Sequence, residues 1–383
     1  MKKILMILDH KCKEKIVKKG KKRNAGIDIM RILGMYDIII FHILINSNIY
    51  NKYYIYKNEL KFMEVFTNWH ISNFGIISGI VGFKNNKYLK YSNLIHLWLI
   101  VFFYSLIIHY SYKIYNPYFV STKKQIEYFF PVIYNNHWYF SAYFGMYLLM
   151  PLINRGILNL NKREFKIIVL SVITIFIIWK YINNIDDKID PFYLNSGRSM
   201  IGLIVFYIIG AYLGKYIIIE NKNKKIYYYL ICIIIYIISG YLCNNFISYY
   251  GNNIFKLFLK GLYECRLNSV AMISQTISLA LLFSQIKYNE YIGKFISFFG
   301  QLTFGIYIIH DHVDIRYIIF KYLFKKYPNN LTLKSVIFLI LRKGLKYFSI
   351  CIFIDFLRFL FFNLIRVKIL LSYIDKKIIS YIG

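Results

Sequence analysis

The chain has 383 residues, 58% hydrophobic and 20% aromatic, with a formal net charge of +31 and a mean hydropathy of +0.44. Soluble domains average about 45–50% apolar residues; the excess here is gathered into blocks of about 16–22 residues, the length that crosses a hydrocarbon core, so an ordinary soluble globule is excluded. Lys and Arg lie mostly between the blocks, as the positive-inside rule requires, rather than on a nucleic-acid-binding face.

A backbone in lipid must satisfy its own hydrogen bonds, so the blocks are expected to be helices. No segment alternates like a membrane β-strand. The expected fold is an all-α, polytopic membrane bundle of about ten transmembrane helices, over 32–49, 66–83, 92–112, 137–153, 167–182, 200–219, 226–243, 267–286, 298–319 and 344–365. Residues 1–383 read as one transmembrane domain, with a basic tail at 1–30 and a second tail at 366–383. The first apolar stretch, Ile4 to Leu8, is too short for a cleavable signal.

The first span carries the most information. Arg31 and His42 are separated by ten residues, nine of them apolar or Gly. At 1.5 Å per residue the two side chains are about 16 Å apart along the axis. Ionisable groups inside a bilayer are costly and suggest function by default. His42 suits a general base, with a packed, hydrogen-bonded His as the plain alternative. Arg31 suits a phosphate, with a snorkelling anchor as its alternative. Asp28 is placed to pair with Arg31, three residues on. Asp37 is five residues from His42, about 140° around the helix, and so is not expected to orient it.

The loops KNNKYLK (84–90), NKREFK (161–166), ENKNKK (220–225) and KYNEYIGK (287–294) are basic and fall on the same side as the N-terminal tail. That side is expected to be the cytoplasm. Lys321, Lys325 and Lys326 land outside, against the rule. Trp138 opens the fourth span and Arg198 the sixth, both near the outer face; interfacial anchoring is the alternative to acceptor binding for each. Five cysteines form no metal-spaced cluster, although Cys243 and Cys265 both flank one outer loop and a bridge between them stays open. The ninth span ends in His310-Asp311-His312-Val313-Asp314. The two histidines, two apart, point to different helix faces, so no metal site is expected from this run. The stretch 331–365 carries Arg342, Lys343, Lys346, Asp355 and Arg358, and reads as one helix plus an interfacial segment.

Several segments, in order, resemble the membrane-bound acyltransferase-3 family of the polysaccharide O-acetyltransferase type. IDIMRILGMYDIIIFH (27–42) is similar to its opening motif of a basic residue, ten residues and a His. NFGIISG (73–79), NHWYFSAYFGMYLLMPLIN (136–154), GRSMIGLIVFYIIGAYLGK (197–215) and FGQLTFGIYIIH (299–310) resemble later family signatures. The resemblance implies transfer of an acyl group, usually acetyl, from cytoplasmic acyl-CoA to a hydroxyl of a cell-surface polysaccharide or its lipid-linked precursor. It implies His42 as the catalytic His with Arg31 as its basic partner, and Arg31, Lys87 and Lys90 as the residues holding acetyl-CoA. Lys87 and Lys90 stand where many members carry an Arg-x-x-Arg pair, and Lys does not replace a bidentate Arg. Trp138, Arg198 and His310 are expected on the acceptor side. The implied setting is the plasma membrane, multi-pass, with a cytoplasmic N-terminus, no metal and no nucleic-acid partner. The sequence leaves open whether His42 acts as a base or briefly carries the acyl group, and whether the acyl group is acetyl or longer. A transporter or flippase for a lipid-linked sugar is the alternative from a different class, and a polysaccharide polymerase a third.

Overall fold

The computed structural model describes residues 23–83, 90–115, 122–185, 190, 192–218, 226–247, 269–286 and 288–382, and every regular element among them is helical. In chain order the helices are α1 (Ala25–Asn46), α2 (Ile49–Lys52), α3 (Lys57–Thr67), α4 (His70–Gly82), α5 (Tyr91–Tyr115), α6 (Thr122–Phe129), α7 (Trp138–Asn159) and α8 (Lys162–Ile185). They continue with α9 (Met200–Tyr212), α10 (Ile226–Ile247), α11 (Val270–Gln285), α12 (Glu290–His310), α13 (Val313–Tyr322), α14 (Leu333–Leu364) and α15 (Val367–Ile382). Four described stretches are long and apolar enough to cross a membrane: Tyr91–Ser111, Met200–Ile217, Glu290–His310 and Leu333–Leu364. Tyr227–Leu242 and Val270–Gln285 are apolar but shorter.

Helix α1 runs through the middle of the bundle, with α3, α4, α11, α12, α13 and α14 packed around it. Its start is fixed from both sides. The Asn24 side chain accepts the Gly26 N–H at 3.0 Å and donates to the Ser284 carbonyl at 2.9 Å. Gly26 permits that approach: a Cβ there would lie 1.8 Å from the Phe283 carbonyl oxygen. Asp28 in the first turn complements the helix dipole.

The α4–α9 pair shows how membrane helices associate when burial of apolar surface gives no advantage over lipid. Small residues let the backbones touch. A Cβ on Gly79 would lie 2.1 Å from the Tyr207 carbonyl oxygen, and one on Gly210 would lie 2.0 Å from that of Ile76. One turn away, a Cβ on Gly75 would lie 2.7 Å from the Phe206 Cβ, and one on Gly214, in the π-helical turn that follows α9, would lie 2.8 Å from the Ile80 carbonyl oxygen. Gly210→Leu is expected to cost about 3 kcal/mol or more, the upper range for overpacking, because backbone cannot step aside. Size-exclusion chromatography in detergent should show loss of the folded monodisperse peak, and a normal peak would mean that α4 and α9 dock otherwise.

Several expected boundaries move. The span expected at 298–319 is two helices, α12 ending at His310 and α13 beginning at Val313. Asp311 caps α12, its N–H bonding the Tyr307 carbonyl. The stretch 331–365 is one 32-residue helix rather than a helix plus an interfacial segment. Two of its internal charges, Asp355 and Arg358, are buried and pair with each other, while Arg342 and Lys346 are exposed. Arg358 donates to both carboxylate oxygens of Asp355, at 2.9 and 2.6 Å, and the Tyr104 hydroxyl donates to the same carboxylate at 2.8 Å. Gly305 on α12 leaves the room that Asp355 occupies. The expected tail 366–383 contains α15, packed against α5. The expected tail 1–30 is helical from Ala25. Cys232 and Cys351 are buried free thiols, whereas Cys265 and the Cys243 side chain, and so the question of their bridge, lie outside the described residues.

Candidate active site

A cavity of about 440 Å³ runs alongside α1. At one end it is lined by Arg23, Arg31 and Lys90; at the other by His42, His70, Trp138 and Asp311. Between them Tyr139, Tyr143 and Tyr147, at successive turns of α7, form one aromatic wall, with ring centroids 6.5 and 6.1 Å apart. Phe74 and Phe304 line the cavity as well. The result is a passage with a cationic mouth, an apolar and aromatic middle and an imidazole-rich inner end. The wall has a fixed direction, because Trp138 opens α7 at the inner end while the Tyr147 hydroxyl reaches the Lys90 carbonyl at 3.3 Å.

The cationic mouth is organised by Asp28, which is fully buried. Arg23 donates to its two carboxylate oxygens at 2.6 and 2.7 Å. Arg31 Nη1 donates to Oδ1 from the other side, so the pair expected three residues apart is present. The Ser297 hydroxyl on α12 adds a bond of 2.8 Å. One carboxylate against two guanidiniums leaves a net positive charge. Each guanidinium has five N–H donors, so both keep donors for an anion in the cavity. Lys90 adds a third cation and is exposed. Lys87 lies outside the described residues.

At the inner end, His42 on α1 is mostly buried, and its Nδ1 has no hydrogen-bond partner. Asp311 Oδ1 is 3.8 Å from that nitrogen, and Arg316 Nη1 donates to the same oxygen at 2.7 Å. The His310 ring lies 5.2 Å from the His42 ring, centroid to centroid, with its Nδ1 bound to the Ile306 carbonyl at 2.8 Å. The His70 ring is held by the Thr67 carbonyl and packs on Phe41 at 5.3 Å. Asp37 serves elsewhere, accepting the Trp69 indole N–H at 2.9 Å.

Of the residues expected from sequence, Arg31, His42, Lys90 and Trp138 line this one cavity. His310 backs His42. Arg198 is exposed and outside the lining. Sequence reading missed Arg23, which it assigned to the tail, and Asp311, which it saw only as part of the His-Asp-His run. The spacing Arg23-x4-Asp28-x2-Arg31 was the available signal for the first. Among the described residues no group of three or more His, Cys, Asp or Glu side chains is arranged to hold a metal.

Residues 24–363 match the acyltransferase domain that defines the acyltransferase-3 family. The chain belongs to that family. No curated protein and no solved structure matches it. The match runs from the cap of α1 to the last turn of α14, and so spans the described lining of the cavity in this membrane acyltransferase, Arg23 excepted.

Proposed function

We propose that this acyltransferase is an integral membrane O-acetyltransferase. It takes acetyl from cytoplasmic acetyl-CoA and delivers it to a hydroxyl of a cell-surface polysaccharide or its lipid-linked precursor. In this reading the chain crosses the plasma membrane about ten times with its N-terminus in the cytoplasm, as the basic loops favour. The observation that carries the reading is the single cavity with three cations at one end and His42 at the other.

Arg23, Arg31 and Lys90 would bind the phosphates of CoA, the two arginines as forks and Lys90 as a point charge. The aromatic wall suits the pantetheine arm, which must reach roughly the 16 Å that separates Arg31 from His42 along α1. The acceptor would approach from the Trp138, Arg198 and His310 side. His42 then takes the proton of the acceptor hydroxyl as its oxygen bonds the thioester carbonyl carbon. The C–S bond breaks, and the imidazolium returns the proton to the departing sulfur. A cavity that excludes bulk water limits loss of the thioester to hydrolysis.

Membership of an acyltransferase family weighs against the transporter and polymerase alternatives. The test is incubation of membranes with radiolabelled acetyl-CoA and the surface glycan. Alkali-labile label in the glycan is expected, and glycan that stays unlabelled would overturn the proposal. Arg31→Ala should raise the KM for acetyl-CoA by about 10–100-fold, the worth of one charge-assisted contact. Its kcat should change much less, since Arg31 lies far from the reacting carbon. An unchanged KM would remove Arg31 from donor binding.

A further inference from the structure

We propose that Asp311 is the positioning residue for His42: its carboxylate accepts the Nδ1–H of His42 and so presents Nε2 to the cavity as the working nitrogen. The assignment rests on the reading of His42 as the reactive group. Its support is geometric. Nδ1 of His42 is a buried polar atom without a hydrogen bond. A buried group of that kind needs a partner, and the oxygen facing it at 3.8 Å is Asp311 Oδ1. A shift of about 0.8 Å brings the pair to ordinary hydrogen-bond length, and apo sites often show such contacts long.

The backbone explains why the carboxylate is there. Helix α12 ends at His310, Asp311 caps it, and the chain turns at once into α13. Both Ile315 and Arg316 N–H groups bond the His312 carbonyl, at 3.0 and 2.9 Å, so the turn is closed on itself. One turn into α13, Arg316 reaches back and fixes Asp311 Oδ1 at 2.7 Å. The carboxylate is 5% exposed, too buried to rotate freely into solvent. His70 and His310 have their Nδ1 atoms tied to backbone carbonyls, so within this group of imidazoles only His42 depends on a carboxylate. A neutral imidazole bears its proton on one nitrogen, and the partner of that nitrogen decides which. With Nδ1–H on Asp311, the Nε2 lone pair is left to take the acceptor proton.

The test has two readouts on purified protein in lipid nanodiscs. The first is 15N NMR of histidine-labelled protein, with the His42 signals identified by their loss in His42→Gln. The wild type is expected to hold its proton on Nδ1. Asp311→Ala and the charge-balanced Asp311→Ala/Arg316→Gln should both lose that preference, whereas Arg316→Gln alone should keep it. The second is kinetics. Asp311→Asn, which preserves shape, and the double variant should lose about a hundredfold in kcat, with the KM for acetyl-CoA within about twofold; Asp311→Glu should recover part of the loss. An unchanged His42 tautomer in Asp311→Ala overturns the proposal. So does a double variant with normal kcat, because the carboxylate would then only balance Arg316. If the wild type transfers no acetyl group, the functional reading fails on its own, and the tautomer still decides the role of Asp311.

Discussion

His42→Ala is expected to lower acetyl transfer by about a thousandfold, within the range attributed to a positioned general base, while the protein inserts and folds normally. The two halves of that expectation have separate grounds. The chemical half rests on position. His310 and His70 are the adjacent imidazoles, and each is held in place through Nδ1 by a backbone carbonyl of its own segment. Neither stands on α1, where the cavity runs from Arg31 to His42. The structural half rests on what His42 does not hold. Asp311, the carboxylate that faces its Nδ1, keeps Arg316 as a partner when the imidazole goes. Truncation therefore leaves no donor or acceptor newly orphaned, which is the usual source of large destabilisation. Label transfer from radiolabelled acetyl-CoA measures the first half and scanning fluorimetry in detergent the second. A variant that still transfers acetyl within tenfold of the wild-type rate would remove His42 from the chemistry, and one that fails to fold would give it a structural role instead.

What could be read from sequence was what lies along one helix. Arg31, His42 and Asp28 are related by fixed rise and rotation within α1, so their separation and the Asp28–Arg31 pair follow from spacing alone. The family-like segments supplied the rest of that reading and hold at the level of the family. What could not be read were the pairings across the bundle. Asp311 reaches His42 only because the chain breaks between α12 and α13, and that break is hidden in hydropathy by the apolar Ile315, Ile318 and Ile319 that follow. The continuity of α14 was obscured for the opposite reason. Its charges look costly in sequence, but Asp355 and Arg358 satisfy each other one turn apart and Tyr104 completes the set from another helix. The glycines of α4 and α9 show their small-residue spacing in sequence, yet spacing does not say which two helices meet.

The largest stability effect is expected at Asp28. This carboxylate is fully buried and receives Arg23, Arg31 and Ser297 together. Gly300 of α12 is part of the arrangement, since a Cβ there would come within 2.8 Å of Asp28 Cβ. Asp28→Ala removes the negative member of the group and leaves two guanidiniums facing each other beside a low-dielectric wall. Breaking a buried pair by deleting one partner typically costs about 3–5 kcal/mol, most of it the penalty of the charge left behind. Arg31 is the more exposed to that penalty, with 18% of its side chain accessible against 43% for Arg23. A fall of several degrees in Tm is therefore expected for Asp28→Ala, and a smaller one for Asp28→Asn, which keeps an acceptor oxygen. Adding Arg31→Gln to Asp28→Ala should recover part of the loss, because the uncompensated cation is gone. The same double variant cannot recover acetyl-CoA binding, since the fork at the cavity mouth is gone with it. Stability and donor affinity should thus move in opposite directions between the single and double variants. Recovery of neither would mean that Asp28 acts through Ser297 and the α1–α12 contact rather than through the guanidiniums.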